Sequence, residues 1–239
     1  MKLIQSLKLF VNRRVFNMLF LGFSSGVPIL LIFSTLGLWL NEAGVVKSTI
    51  TYFSWAALGY SFKFVWAPLV DQLPLPVLTQ LLGRRRSWML ISQLAIIGSI
   101  LMMSSIDPKT SMESLTLMAY GSVLLGFSSA TQDIVIDALR IEQIRSNDNQ
   151  LMAAGASIAV VGWWSGYKIG GLIALSSSQL IQSLGFFNYW QLNFVFLTFI
   201  IFLLNFFLLK IKEDNFDLKR NSQNQMMEKF NSQINFKNK

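Results

Sequence analysis

Asp133 and Asp137 stand four residues apart in the segment SSATQDIVIDALRIE, at the end of an otherwise apolar stretch. One helical turn separates them, so they share a helix face near a C-terminal end, where the macrodipole disfavours negative charge. A carboxylate at bilayer depth costs about 2.5–3.5 kcal/mol even on insertion scales, so each needs a partner. Lys63 and Lys168 are the other ionisable side chains that fall inside apolar stretches. At a rise of about 1.5 Å per residue, Lys63 lies near the middle of its stretch, Asp133 roughly 10 Å from the middle of its own, and Lys168 slightly to the other side. Lys63 with Asp133 is then the expected pair, serving either as structural glue or as a working charge site. Asp133 is also the only acidic residue well inside such a stretch, in a chain with no His. It is the candidate proton-responsive group.

For Asp137 the candidate partners are Arg140 in the next turn and the Arg84–Arg86 run, whose guanidinium forks suit carboxylates. Asp71, ending WAPLVD, adds a carboxylate at the same surface, and together these predict a charge latch. Lys168 sits in GWWSGYKIGG. With Trp163 and Tyr167 beside it, a wall of rings and a cation would suit an anionic sugar derivative, with lipid-facing packing as the alternative for the rings. Gln132, next to Asp133, could orient a substrate or bond a neighbouring helix. Gly162, Gly166 and Gly170, spaced by four, predict one helix face pressed against another backbone.

These residues need helices long enough to cross a bilayer. Of the 239 residues, 53% are hydrophobic and only 13% charged, against about 25% charged in soluble domains. Mean hydropathy is +0.48. Six apolar stretches have about the length of a membrane span: residues 16–40, 50–70, 88–106, 115–136, 151–176 and 189–209. The first is too long for a signal peptide and no cleavage site follows it. The organisation expected is a basic N-terminus over 1–15, a six-span all-α bundle over 16–209, and a polar, disordered tail over 210–239. Sixteen Lys and Arg fall on the side of the two ends and the even-numbered loops, two on the other, which predicts cytoplasmic termini. The net charge of +8 is thereby explained without nucleic acid. LGFSS occurs at 21–25 and again at 125–129, in the first and fourth stretches, as a three-plus-three inverted repeat would place it. The chain has no Cys, no His, no Walker A and no HExxH, so no metal, cofactor or enzyme activity is expected.

FLGFSSGVP at Phe20–Pro28, KFVWAPLVD at Lys63–Asp71, GRRRSW at Gly83–Trp88, SSATQDIVIDA at Ser128–Ala138 and GYKIGG at Gly166–Gly171 resemble the N-terminal half of the AmpG muropeptide permease family. That family is a branch of the major facilitator superfamily that also resembles acetyl-CoA transporters. The resemblance runs from residue 1 to about 212. It implies one six-helix half of a transporter of the bacterial inner membrane that imports anionic anhydro-muropeptides on the proton gradient for peptidoglycan recycling. It also implies a cytoplasmic gate at Asp71, Gly83, Arg84 and Arg85, although the segment between Asp71 and Gly83 is longer than the superfamily norm. Family transporters place substrate between two halves, so the partners expected are the lipid bilayer, protons, the muropeptide, and a second six-helix half or a second copy. The alternative is a truncated non-transporting paralogue or a membrane assembly factor.

Overall fold

The computed structural model describes residues 13–143 and 149–209. Most of the basic N-terminus, Arg145 and the 210–239 tail lie outside them. The described chain is all-helical. Helix α1, Arg13–Leu30, continues through a wide π turn at Leu31–Thr35 into α2, Leu36–Glu42. Pro28, inside α1, withdraws one backbone donor just before that turn. The chain continues through α3, Lys47–Phe53, a 3₁₀ turn at Ser54–Ala57, α4, Leu58–Ser61, α5, Lys63–Gln72, and a short α6, Leu78–Leu82. Four long helices follow: α7, Arg84–Ser104; α8, Met112–Gln143; α9, Asn149–Ser183; and α10, Tyr189–Leu209.

Among the described residues, four stretches are long and apolar enough to cross a membrane: Val15–Glu42, Arg84–Ser104, Gln150–Ser183 and Tyr189–Leu208. The other two expected spans differ from the sequence reading. The second is divided among α3, the 3₁₀ turn, α4 and α5, and the fourth lies inside α8, which runs past both of its expected ends.

Helix α1 is the axis of the bundle. Its apolar span is 72% buried, against 28% for that of α9. The two helices mesh through reciprocal glycines. A Cβ on Gly22 would lie 2.1 Å from the Ala159 carbonyl oxygen and one on Gly26 2.2 Å from that of Trp163. From the other side, a Cβ on Gly162 would lie 2.3 Å from the Leu19 oxygen and one on Gly166 2.2 Å from the Phe23 oxygen. Without a hydrophobic drive between helices in lipid, this backbone approach is what holds them together.

The second LGFSS segment is used in the same way. A Cβ on Gly126 would sit 2.2 Å from the Ala56 oxygen, and Gly59 answers from α4 at 3.1 Å from the Gly126 oxygen. The Ala159 carbonyl against Gly22, with Gly162 meeting the Phe23 nitrogen, therefore has its counterpart in the Ala56 carbonyl against Gly126, with Gly59 meeting the Phe127 nitrogen. Tight packing of Ala56 and Gly59 on α8 falls where the second stretch departs from regular helix.

Two apolar clusters stack along the bundle. One gathers Trp39, Phe53, Met103, Trp190 and Phe194; the other gathers Val15, Met18, Met89, Leu139 and Leu208. At the first end, Glu42 accepts hydrogen bonds from Tyr189 Oη and Trp190 Nε1, both at 2.7 Å, and Trp39 stacks on Trp190 with centroids 6.5 Å apart. This clasp fixes the end of α2 to the start of α10.

Candidate functional site

Helices α1, α5 and α8 converge on Asp133. The Lys63 ammonium donates to Asp133 Oδ2, and the Ser25 hydroxyl donates to Oδ1. Lys63 can reach because the chain steps off helix at Phe62 (φ −101°, ψ 6°), which makes Lys63 the first residue of α5. One turn along α8, Asp137 lies 3.8 Å from the same ammonium and 3.0 Å from Arg140. Each carboxylate near the end of this helix therefore has a cation, which offsets both desolvation and the unfavourable macrodipole. Neighbouring contacts fix the α4–α5 segment to α8: Tyr60 hydrogen-bonds Ser129, Trp66 Nε1 donates to Thr131 at 3.2 Å, and the Trp66 ring lies 4.5 Å from Phe127.

A second ionic group sits at the adjacent end of the bundle. Gly83, with φ 92° and ψ 161°, turns the chain into α7 in a conformation that side-chain-bearing residues rarely adopt. The Ser87 hydroxyl caps the Gly83 carbonyl at 2.6 Å. This start places Arg85, only 7% exposed, between two acids. Its Nη1 donates to Asp71 at the end of α5, while Nε and Nη2 both approach Glu142 Oε1 on α8 at 3.2 Å. Trp88 Nε1 donates to the Leu73 carbonyl at 2.9 Å, holding the exit of α5. The long connection noted in the sequence contains α6, entered through Val77 at φ 64°.

Lys63 and Asp137 of the first group and Asp71, Arg85 and Glu142 of the second line one open cleft of about 500 Å³, while Asp133 lies behind Lys63 and does not line it. Lys63, Asp71, Arg85, Asp137 and Glu142 supply its charge, and Phe64, Ile134 and Ile141 supply apolar wall. Two cations against three acids in a partly apolar groove is a switchable arrangement, because each cation has more than one acid within reach.

The family profile described as Acetyl-coenzyme A transporter 1 matches residues 14–236. The AmpG 4 protein of Rickettsia felis is 35% identical over 206 residues, which is 86% of this chain and 47% of that one. The anhydromuropeptide permease of Escherichia coli K12 is 36% identical over 171 residues, 72% of this chain and 33% of that one. The chain belongs to the AmpG-type permease family. AmpG 3 of Rickettsia typhi, 31% identical over 212 residues, is likewise covered to 48% of its length. The chain spans less than half the length of these relatives.

In this AmpG-type chain, the residues singled out from sequence fall into two sets. Lys63, Asp71, Arg85 and Asp137 line the cleft, Asp133 and Arg140 are ion-paired to Lys63 and Asp137, and Gly83 sets the start of the helix that carries Arg85. Arg84 opens α7 beside Arg85 but makes no ion pair among the described residues, and its Nε is buried without a hydrogen-bond partner. Gln132 is 1% exposed and does not line the cleft. Lys168 is exposed on α9 and has no ion pair among the described residues. Trp163 and Tyr167 are half-buried and stacked, with centroids 6.0 Å apart, while Trp164 is exposed. Lys168 and these rings do not line the cleft.

Three participants were not anticipated. Glu142 lies beyond the apolar stretch, and only the continuation of α8 to Gln143 brings it to Arg85. Ser25 and Tyr60 carried no charge signal, although Ser25 and Ser129 are the matched serines of the two LGFSS segments.

Arg85→Lys is expected to lower the thermal midpoint of the protein in detergent. An ammonium cannot keep the fork that serves Asp71 and Glu142 together, and loss of a charge-assisted bond costs about 1.5–3 kcal/mol. A midpoint equal to the parent would show that Arg85 acts only as positive charge at this surface.

Proposed function

We propose that the chain forms one six-span half of a proton-linked secondary transporter that carries anhydro-muropeptides into the cytoplasm for reuse of peptidoglycan. Both termini are cytoplasmic and the membrane is the bacterial inner membrane. The observation that carries the reading is the Lys63–Asp133–Ser25 group, an ionisable pair joining three helices in a chain of a permease family. An acid held between a cation and a hydroxyl can change its protonation when one helix moves. The E. coli relative, named as an anhydromuropeptide permease, supports the substrate class.

The six-span, three-plus-three organisation is supported by the matched glycine crossings of α1 with α9 and of α4 with α8. In this arrangement Asp133 is the proton-responsive group. The cation of Lys63, and that of Lys168 with the Trp163–Tyr167 stack on the exposed side of α9, attract and seat the anionic substrate. Gln132, 1% exposed, is left out of the substrate set in this reading. Asp71, Arg85, Glu142, Asp137 and Arg140 form the cytoplasmic gate, with Gly83 setting the start of α7 and Arg84 adding charge beside it. A second six-helix half completes the translocation path, whether it is further chain, a separate protein or a second copy.

Uptake by membrane vesicles tests this directly. Vesicles containing the chain together with a second half are expected to accumulate labelled anhydro-muropeptide under an inward proton gradient and to lose accumulation when the gradient is collapsed. Gradient-independent equilibration would remove the proton linkage. Absence of uptake with every second half supplied, including a second copy, would favour a non-transporting membrane protein.

A further inference from the structure

The two apolar clusters are not continuous: a polar layer separates them. On α7, Met89 belongs to one cluster and Ile96 to the other, with Gln93 between; on α8, Ile134 and Leu125 flank Gln132; on α10, Leu208 and Ile201 flank Asn205. Contacts along the helices give the register. Helices α7 and α8 are tied by Arg85 to Glu142 at one end, and at the other a Cβ on Gly121 would meet the Met103 side chain. Counting inward from both puts Gln93 level with Gln132. The Gln191 amide reaches the Ile106 carbonyl at 3.5 Å, and counting from there puts Asn205 level with Gln93.

All three carboxamides are more than nine-tenths buried, at 2% for Gln93, 1% for Gln132 and 5% for Asn205. Among the described residues, both amide atoms of Gln93, both of Gln132 and the amide nitrogen of Asn205 have no hydrogen-bond partner. Burying one unsatisfied amide is costly, and three at one level between two apolar clusters call for a common ligand. The donors and acceptors are uncharged, mixed in sense and spread over adjacent helices. That matches water, which takes about three hydrogen bonds when buried and both donates and accepts. An anion would be refused by the amide oxygens, and a metal ion would have no carboxylate here.

We infer that α7, with α8 and α10 packed on it, carries an internal water-binding layer between the two apolar clusters, with Gln93, Gln132 and Asn205 as its protein ligands. Gln132 abuts Asp133, so the layer extends the polar environment of the ionic site across the bundle. The binding itself does not depend on the transport reading.

X-ray radiolytic hydroxyl labelling tests the layer, because radicals formed from bound water modify side chains that touch it. In the 239-residue chain purified in detergent, Ile96, one turn from Gln93, is expected to be modified several-fold faster than Ile100, although both are 0% exposed. Gln93→Met is expected to abolish that difference and to lower the thermal midpoint. Equal modification of Ile96 and Ile100 in the parent would overturn the proposal. So would a Gln93→Met chain that melts higher than the parent, since removing an amide that lacks a ligand stabilises the fold.

Discussion

Gly26→Leu is expected to prevent assembly of the bundle. The first atom of any side chain there would stand 2.2 Å from the Trp163 carbonyl oxygen and 3.0 Å from the Tyr167 nitrogen. Backbone cannot swing aside as a side chain can, so α1 and α9 must separate along their length. Ordinary overpacking costs about 1–3 kcal/mol; parting the tightest helix pair of a lipid-embedded bundle exceeds this. The measurement is the yield of monodisperse protein by fluorescence-detected gel filtration, with Gly98→Leu as control because nothing lies within 4 Å of a Cβ at Gly98. Normal yield from Gly26→Leu would mean that the α1–α9 mesh is not the organising contact.

Lys63→Ala is expected to be nearly as damaging, for an electrostatic reason. It leaves Asp133 with the Ser25 hydroxyl alone and deprives Asp137 of its second cation. Breaking a buried pair from one side costs about 3–5 kcal/mol, and the lower end applies because the Lys63 side chain keeps 33% of its exposure. Asp133→Ala should be milder, since Lys63 remains 3.8 Å from Asp137. The double change Lys63→Ala with Asp133→Ala should recover much of the lost protein, and thermal midpoints of the four members of the cycle measure the coupling. Additive losses would show that the two residues act apart.

The pairing of Lys63 and Asp133 was legible in the sequence because a charge inside an apolar stretch has few possible partners. The arginine partner of Asp71 and the close-packed glycines of α9 were legible for similar reasons of type and spacing. The division of the second stretch was not. It falls beside the contact of Ala56 and Gly59 with Gly126, 67 or more residues away in the chain, and no local period records such a contact. Gly22 read only as part of a repeat and Gly26 only as part of the stretch that carries the family resemblance, since their four-residue spacing gains meaning once Gly162 and Gly166 face them. Ser25 was invisible because a helical serine ordinarily bonds its own preceding turn, as Ser92 does with the Trp88 carbonyl. Arg84 and Arg85 were not separable in the sequence, because neighbours on a helix point about 100° apart and only the fold shows that Arg85 is the one that meets Asp71.

The central claim is that Asp133 couples a proton to movement of substrate. Asp133→Asn keeps the shape and the Ser25 contact while removing the group that changes charge, and the Lys63 ammonium still has Asp137 within 3.8 Å. The decisive measurement is gradient-driven accumulation of labelled anhydro-muropeptide by vesicles carrying Asp133→Asn and a competent second half, at membrane abundance matched to the parent. The account predicts substrate that equilibrates but does not accumulate; accumulation equal to the parent would contradict it.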